Sequence, residues 1–184
     1  MSDATAPPSP ATDRPLSIVH LTLASDAGGL SRYLIDLSRA MLGRGHDVRV
    51  VGDRGAWHDR FEAAGIPCHV VPLNGGIRGL WKSSRQLRSV LREHRPDVLH
   101  SHYRRASLMG RLSRIGAGVK PPLLYTLHLS HIDLGGWRRW LSDFGDHTHA
   151  ASLDAVQWLK TEAGVDRNDL TYLPHGLATE RFPQ

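Results

Sequence analysis

Cysteine is almost missing from this 184-residue chain, which contains only one, Cys68. A single cysteine excludes a disulfide within the chain and a zinc site built on cysteine ligands. No run of 18 apolar residues occurs, so no membrane-spanning helix is predicted. The first residues lack the apolar stretch of a secretory signal peptide, and we therefore expect a cytoplasmic protein.

The first fifteen residues are rich in proline, alanine, serine and threonine. Such a segment cannot bury enough apolar surface to offset the entropy of ordering, so residues 1–15 are predicted to be a disordered leader. Residues 16–184 are long enough for a single domain with its own core, which at this size buries about 70% of the chain's surface. The sequence indicates neither an internal repeat nor a second domain.

Lysine is scarce as well, because 20 of the 23 basic side chains are arginine, and the formal net charge is +5. The planar guanidinium of arginine suits forked contacts with phosphate. The basic excess fits nucleic acid, an anionic membrane or a phosphorylated substrate, and genome composition explains it equally well. No nucleic-acid-binding signature is present, so nucleic acid is not expected as a partner.

Strand-like and helix-like patterns alternate along the chain. Strands are predicted at residues 16–23, 47–52, 67–72, 97–101, 123–128, 148–152 and 170–173. Helices are predicted after residue 29 and at residues 57–64, 78–94, 105–115, 137–144 and 153–163, where apolar residues recur at helical spacing. This alternation predicts a Rossmann-like, doubly wound α/β fold, with a mainly parallel sheet and helices on both faces.

Ligands of such sheets bind outside the carboxyl ends of the strands, and a glycine pair stands at the first of these ends. Gly28 and Gly29 directly precede a helix. Paired glycines allow close approach of the backbone, and a helix start offers free N–H groups to an anion, although an ordinary turn also explains the pair. The pattern is not G-x-G-x-x-G, which disfavours NAD.

Histidines gather after two further strands, at His100, His102, His128 and His131. A metal centre is one interpretation of this cluster. Only Asp133 could add a carboxylate ligand there, so hydrogen-bonding or core roles are favoured and no metal is predicted.

Five stretches, in order along the chain, resemble glycosyltransferase family 4. They are GGLSRYLIDLSRAMLGRGHDVRVVGDRG at 28–55, RPDVLHSHYRRASLMGRL at 95–112, LLYTLH at 123–128, ASLDAVQWL at 151–159 and YLPHGLATERF at 172–182. The resemblance implies one half of a GT-B fold, in which two Rossmann-like domains face a cleft. It also implies metal-independent transfer of a sugar from a nucleotide-sugar donor, with retention of configuration.

The resemblance implies roles for individual residues. Gly28 and Gly29 would approach the donor phosphates and the transferred sugar, and His128 would contact the sugar at the catalytic site. Separately from the resemblance, the position of Arg32 in the first turn of the helix after Gly29 makes it a candidate to add positive charge there, with a solvated surface arginine as the alternative. Backbone N–H groups stabilise the negative charge of a departing diphosphate without reorganisation, which agrees with the role of the glycines.

The family's second domain carries two glutamates eight positions apart that bind the donor, and no two glutamates of this chain have that spacing. The resemblance therefore implies the N-terminal, acceptor-side domain, with a C-terminal donor-binding domain supplied in cis or in trans. We expect no appreciable transfer from this chain alone. A fragment and a natural half-enzyme both fit, and a non-catalytic binding or regulatory module of the same fold is the alternative function.

The predicted helix at 78–94 carries a basic arc opposite its apolar side. At 100° per residue the arc collects Arg78, Lys82, Arg85, Arg88 and Arg92, and Trp81 falls inside it. Basic residues around an interfacial tryptophan suit an anionic membrane, so peripheral binding to the inner membrane face is predicted. The alternative is a solvated helix face with Trp81 folded against a loop.

A second basic and aromatic group stands near the predicted cleft. His102, Tyr103, Arg104, Arg105 and His131 are predicted to bind the acceptor, through phosphate contacts or by stacking on sugar rings. Ordinary surface and core roles compete with this interpretation, and the position of the residues in loops after strands favours binding. A sugar or a lipid-linked glycan is the expected acceptor, as in polysaccharide or glycolipid biosynthesis.

Overall fold

The computed structural model describes residues 14–23, 28–56, 58–73 and 77–176. The strands are β1 Ser17–Thr22, β2 Asp47–Gly52, β3 Cys68–Val70, β4 Val98–Ser101, β5 Leu123–Leu127, β6 His147–Ala150 and β7 Leu170–Tyr172. The α-helices are α1 Gly29–Leu42, α2 His58–Ala63, α3 Ile77–His94, α4 Arg104–Arg114 and α5 Leu153–Trp158. Most of the predicted leader, residues 1–13, lies outside the described residues, and Arg14 forms an ion pair with Asp97 at 2.6 Å.

The strands form one sheet in the order β3-β2-β1-β4-β5-β6-β7, and every neighbouring pair is parallel. The prediction of a Rossmann-like, doubly wound sheet is confirmed. After β1 the chain builds outward through β2 and β3, and it then returns to place β4 on the other side of β1. The direction of winding therefore reverses between β1 and β4, which is where sheets of this kind bind ligands.

Helices cover both faces of the sheet because successive strand residues point to opposite sides. On one face Leu87 of α3 and Met109 of α4 pack against Leu21 and Leu99. On the same face Trp158 of α5 packs over β5 and β6. On the other face α1 and α2 bury Leu34, Ile35 and Phe61 against Val50. The central strands are thus enclosed, which explains why β1 is almost continuously buried.

The prediction of a helix at residues 137–144 is wrong, because the chain there forms only a short 3-10 turn, Gly136–Arg138. The side chain of Asp143 holds this segment instead, accepting hydrogen bonds from Ser107 and Arg111 of α4 and from the backbone N–H of Gly145. These bonds compete with helical backbone pairing. The predicted helix at 153–163 is α-helical only through α5 and continues as a π-helical turn, Leu159–Ala163.

Candidate functional site

The start of α1 is the next described element after β1, and it is exposed at Gly28 and Gly29. Gly28 is the N-cap, with φ −110° and ψ 171° and no side-chain cap, and the first turn contains no acidic residue. Any residue can adopt that conformation, and a Cβ at Gly28 or Gly29 would meet nothing within 4 Å. Neither conformation nor packing among the described residues therefore requires glycine there. Arg32 is exposed in the same turn, and its backbone N–H donates to Gly28 O at 3.3 Å.

Six histidines, which we call the histidine row, cross the sheet on the α1 side near the same edge. They are His20, His100, His102, His128, His149 and His175. The strand register aligns them, because His20 lies opposite His100 in β1 and β4. Pairing continues past β4 through a bond from His102 N to Leu21 O at 3.0 Å, so the rings of His100 and His102 share a face with centroids 4.2 Å apart.

Two hydrogen-bond chains connect five of the six histidines of the row, all except His175. In the first chain, His20 Nδ1 lies 3.1 Å from His102 Nε2, and His102 Nδ1 lies 3.0 Å from His128 Nε2. In the second chain, His100 Nε2 lies 2.7 Å from Thr126 Oγ1, which lies 3.1 Å from His149 Nδ1. The second chain ends where His149 Nε2 donates to Leu173 O at 2.5 Å.

Burial disfavours the charged form of the innermost rings of the row. Desolvation lowers the pKa of His20 and of His128 to about 3, and it also lowers the pKa of His102 well below its ordinary value. Neighbouring imidazoles act in the same direction on His102 and His128 because a second positive ring nearby is unfavourable. These three rings are therefore neutral at pH 7, and each of them offers one donor and one acceptor nitrogen.

Tyr33 covers the row from α1, one turn after Gly29. Its ring lies 4.2 Å from His175 and 5.3 Å from His128, measured between centroids. Sequence reasoning placed Tyr33 on the apolar stripe of the helix and missed this contact. The signal that could have found it is its position four residues after a glycine at the carboxyl edge of the sheet.

Three members of the row, His20, His100 and His102, are fully buried and place possible metal-ligand atoms within 4.8 Å of one another. No carboxylate is part of this group. The hydrogen-bond chains already engage a nitrogen of each ring. The absence of a metal stays a prediction.

The residues predicted to bind the acceptor are not all brought together. His102 is buried inside the row, and Tyr103 is the half-buried N-cap of α4, packed against the core. Arg104 donates to Ser142 Oγ at 2.7 Å, and Arg105 is half-buried. His131 is exposed and its Nε2 lies 3.1 Å from a carboxylate oxygen of Asp154. Its partner is therefore not a member of the histidine row.

The predicted membrane surface on α3 is largely exposed. Trp81 is 76% exposed, and Lys82 and Arg85 are exposed beside it. Arg88 is half-buried near Gly116, and the side chain of Arg78 lies outside the described residues. Among the described helices, none is both long enough and apolar enough to cross a membrane.

The family model of Glycosyltransferase Family 4 matches residues 27–181, which include the glycine pair and nearly the whole row. The chain belongs to glycosyltransferase family 4. No curated protein matches it. Several of the similar solved structures are GT-B glycosyltransferases, and the chain has the fold of one half of such an enzyme.

Three solved structures illustrate this likeness. A glycosyltransferase from Rickettsia africae ESF-5 has a TM-score of 0.76 at 16% identity, over 91% of this chain and 45% of that one. Alr3699/HepE from Anabaena, in complex with UDP-glucose, has a TM-score of 0.72 at 21% identity, over 90% and 45%. The lipopolysaccharide outer core galactosyltransferase WaaB has a TM-score of 0.71 at 14% identity, over 85% and 44%. The chain thus spans less than half the length of each relative.

Proposed function

We propose that this chain is the acceptor-side half of a retaining glycosyltransferase that transfers a sugar from a nucleotide-sugar donor. The observation that carries the proposal is the open N-terminus of α1 beside His128 at the switch between β1 and β4. Tyr33 links the two, because it belongs to α1 and its ring lies 5.3 Å from that of His128.

The backbone N–H groups at the start of α1, at the carboxyl edge of the sheet, suit a departing nucleoside diphosphate. The N–H groups in the first turn of a helix have no partner within the helix, and they are oriented toward an anion beyond its end. Fixed dipoles of this kind stabilise negative charge as it develops, without rearrangement at the moment of reaction. Gly28 and Gly29 leave room for a phosphate to reach them, and no acidic residue in the first turn opposes it.

A donor-binding C-terminal domain completes the site in this proposal, in cis or in trans. The chain spans about 45% of the length of its structural relatives, which supports a missing second wall. Since catalysis needs groups from both walls of the cleft, this half alone is inactive. No metal cofactor takes part, since backbone N–H groups and Arg32 supply the stabilisation of charge.

Reconstitution tests the proposal. The chain is mixed with the matching C-terminal domain, and sugar transfer is measured with UDP-, GDP- and ADP-sugars, including UDP-glucose. Transfer is expected only in the mixture. Association without transfer from any donor favours the non-catalytic module, and no association at high micromolar concentration contradicts the proposal.

The acceptor in this proposal is a membrane-associated lipid or glycan, reached from the cytoplasmic side. The exposed Trp81, Lys82 and Arg85 form a basic surface with an interfacial aromatic, as suits an anionic bilayer. Tyr103, Arg104 and Arg105 at the start of α4 are the groups for an acceptor phosphate or sugar ring.

Vesicle sedimentation tests the membrane surface. Binding to anionic vesicles is expected to fall at least tenfold in the double variant Lys82→Glu and Arg85→Glu, since each basic residue near an anionic surface contributes about 1 kcal/mol. The matched control is Arg44→Glu with Lys120→Glu, which changes the net charge equally at exposed positions elsewhere. Equal binding to neutral and anionic vesicles, or an equal loss in the control, rejects this surface.

A further inference from the structure

The direction of hydrogen bonding in the second chain of the row is fixed by its last acceptor. Leu173 O is a carbonyl and can only accept, so His149 Nε2 carries the proton of that 2.5 Å bond. In the neutral form of His149, a proton on Nε2 leaves a lone pair on Nδ1, and that lone pair receives the hydroxyl proton of Thr126. Thr126 Oγ1 in turn accepts from His100 Nε2–H. Each proton in this chain points from β4 toward β7.

The direction of the first chain follows from its buried end. His20 Nε2 is buried and has no hydrogen-bond partner among the described residues. A buried N–H without an acceptor is rarer and costlier than a buried lone pair without a donor. His20 therefore carries its proton on Nδ1 and donates to His102 Nε2. His102 then carries its proton on Nδ1 and donates to His128 Nε2.

We propose that His20 and His102 are positioning residues that hold His128 as the tautomer protonated on Nδ1. Nε2 of His128 accepts a hydrogen bond from His102 Nδ1. The Nδ1–H group of His128 is then the donor that the ring can offer to a ligand. The meaning of this for catalysis rests on the proposed function, whereas the tautomer itself does not. Free histidine in water prefers the proton on Nε2, so the row reverses the ordinary preference.

The consequence is a neutral, oriented donor at the edge of the sheet. None of the described residues forms a hydrogen bond with His128 Nδ1, so its proton is available to an oxygen of a bound sugar or phosphate. Tyr33 lies edge-on to the ring with an interplanar angle of 67°, which limits its rotation. The pKa of His128 near 3 agrees with this role, because the ring needs no charge to act as a donor.

Nitrogen NMR on the 15N-histidine-labelled chain measures the tautomer directly. Two-bond and three-bond 1H–15N correlations within each ring identify the protonated nitrogen, and coupling across an N–H···N bond identifies its acceptor. We expect His128 to be protonated on Nδ1, with a coupling from His102 Nδ1 to His128 Nε2. A wild-type ring protonated on Nε2 overturns the proposal.

Two neutral variants of His102 separate positioning from a merely structural role. His102→Asn keeps an N–H donor near the place of Nδ1, so His128 keeps its proton on Nδ1. His102→Met offers only an acceptor, so the proton of His128 moves to Nε2. The control His131→Ala, at an exposed residue outside the row, leaves the His128 signals unchanged.

A tautomer that is the same in His102→Met and wild type contradicts the proposal, as does a change in His131→Ala. Stoichiometric Zn²⁺ binding by His20, His100 and His102 also overturns it, because a bound cation would occupy the lone pairs that the chains use. If His102→Met does not fold, the wild-type coupling and His102→Asn still decide. No step of this test measures sugar transfer, so failure of the proposed function leaves its result standing.

Discussion

Lowering the pH from 7.5 to 5.0 should destabilise the protein strongly, because its interior contains histidines that are buried without charge. The pKa of His20 and of His128 is lowered by burial to about 3, against about 6.5 in an unfolded chain. The unfolded state therefore binds more protons between these values. The unfolding free energy is therefore nearly constant above about pH 6.5 and falls as the pH drops from 6.5 toward 3.

The size of the effect follows from the two pKa values. For one such histidine, the proton linkage between pH 7.5 and 5.0 amounts to about 2 kcal/mol of unfolding free energy. His20 and His128 together give about 4 kcal/mol, and His100 and His102, whose pKa values are lowered in the same direction, add to it. Since whole domains are stable by about 5–15 kcal/mol, the chain is expected to be close to unfolding at pH 5.

Urea denaturation at the two pH values, followed by circular dichroism, measures this difference. His20→Leu is the informative variant, because it removes one buried titrating ring and should reduce the difference by about 2 kcal/mol. His131→Ala is the matched control, since its side chain is exposed and outside the row. An unchanged stability at pH 5.0, or equal differences in His20→Leu and wild type, would refute the reasoning.

Three further experiments test the packing of the chain. Gly110→Ala should lower the unfolding free energy by about 1–2 kcal/mol, because the new Cβ would lie 2.9 Å from the buried side chains of Leu21 and Leu99. The control Gly79→Ala, whose Cβ would meet no described atom within 4 Å, should raise the unfolding free energy by about 0.5 kcal/mol. Equal denaturation midpoints would contradict this. Asp143→Asn should cost about 2 kcal/mol by breaking a partly buried ion pair with α4, and an unchanged melting curve would contradict it. Cys68, whose thiol pKa burial raises to about 11, should react slowly with a disulfide reagent at pH 7.5 until urea is added; fast native labelling would be the opposite result.

The fold could be predicted because its signals are local. Periodic apolar residues specify helices such as α1 and α3, and the alternation of strands and helices leaves few sheet topologies. The segment at 137–144 misled the prediction because its conformation is decided by Asp143, whose partner Arg111 lies 32 residues away. Local propensity contains no information on such a bond.

The site was predicted only in part, for the same reason. His100, His102 and His128 were recognised because each stands at the end of a strand. His20 and His149 were not, since only the order of the strands and their register bring them to the same face. A histidine at the end of a strand can thus be recognised from its neighbours in sequence. A histidine inside a strand can be placed at the site only when its neighbours in the sheet are known.

The most direct test of the proposed site is the rate of sugar transfer in the reconstituted enzyme with bulky residues in place of the glycine pair. Valine can adopt the extended conformation of Gly28 and the helical conformation of Gly29, and a Cβ at either position would meet no described atom within 4 Å, so the fold should persist in Gly28→Val with Gly29→Val. Because the branched side chains would bar a diphosphate from the start of α1, we expect transfer to fall at least a hundredfold, while Arg44→Glu has no effect. Transfer at the wild-type rate in the valine variant would contradict the assignment of this edge as the donor-phosphate wall.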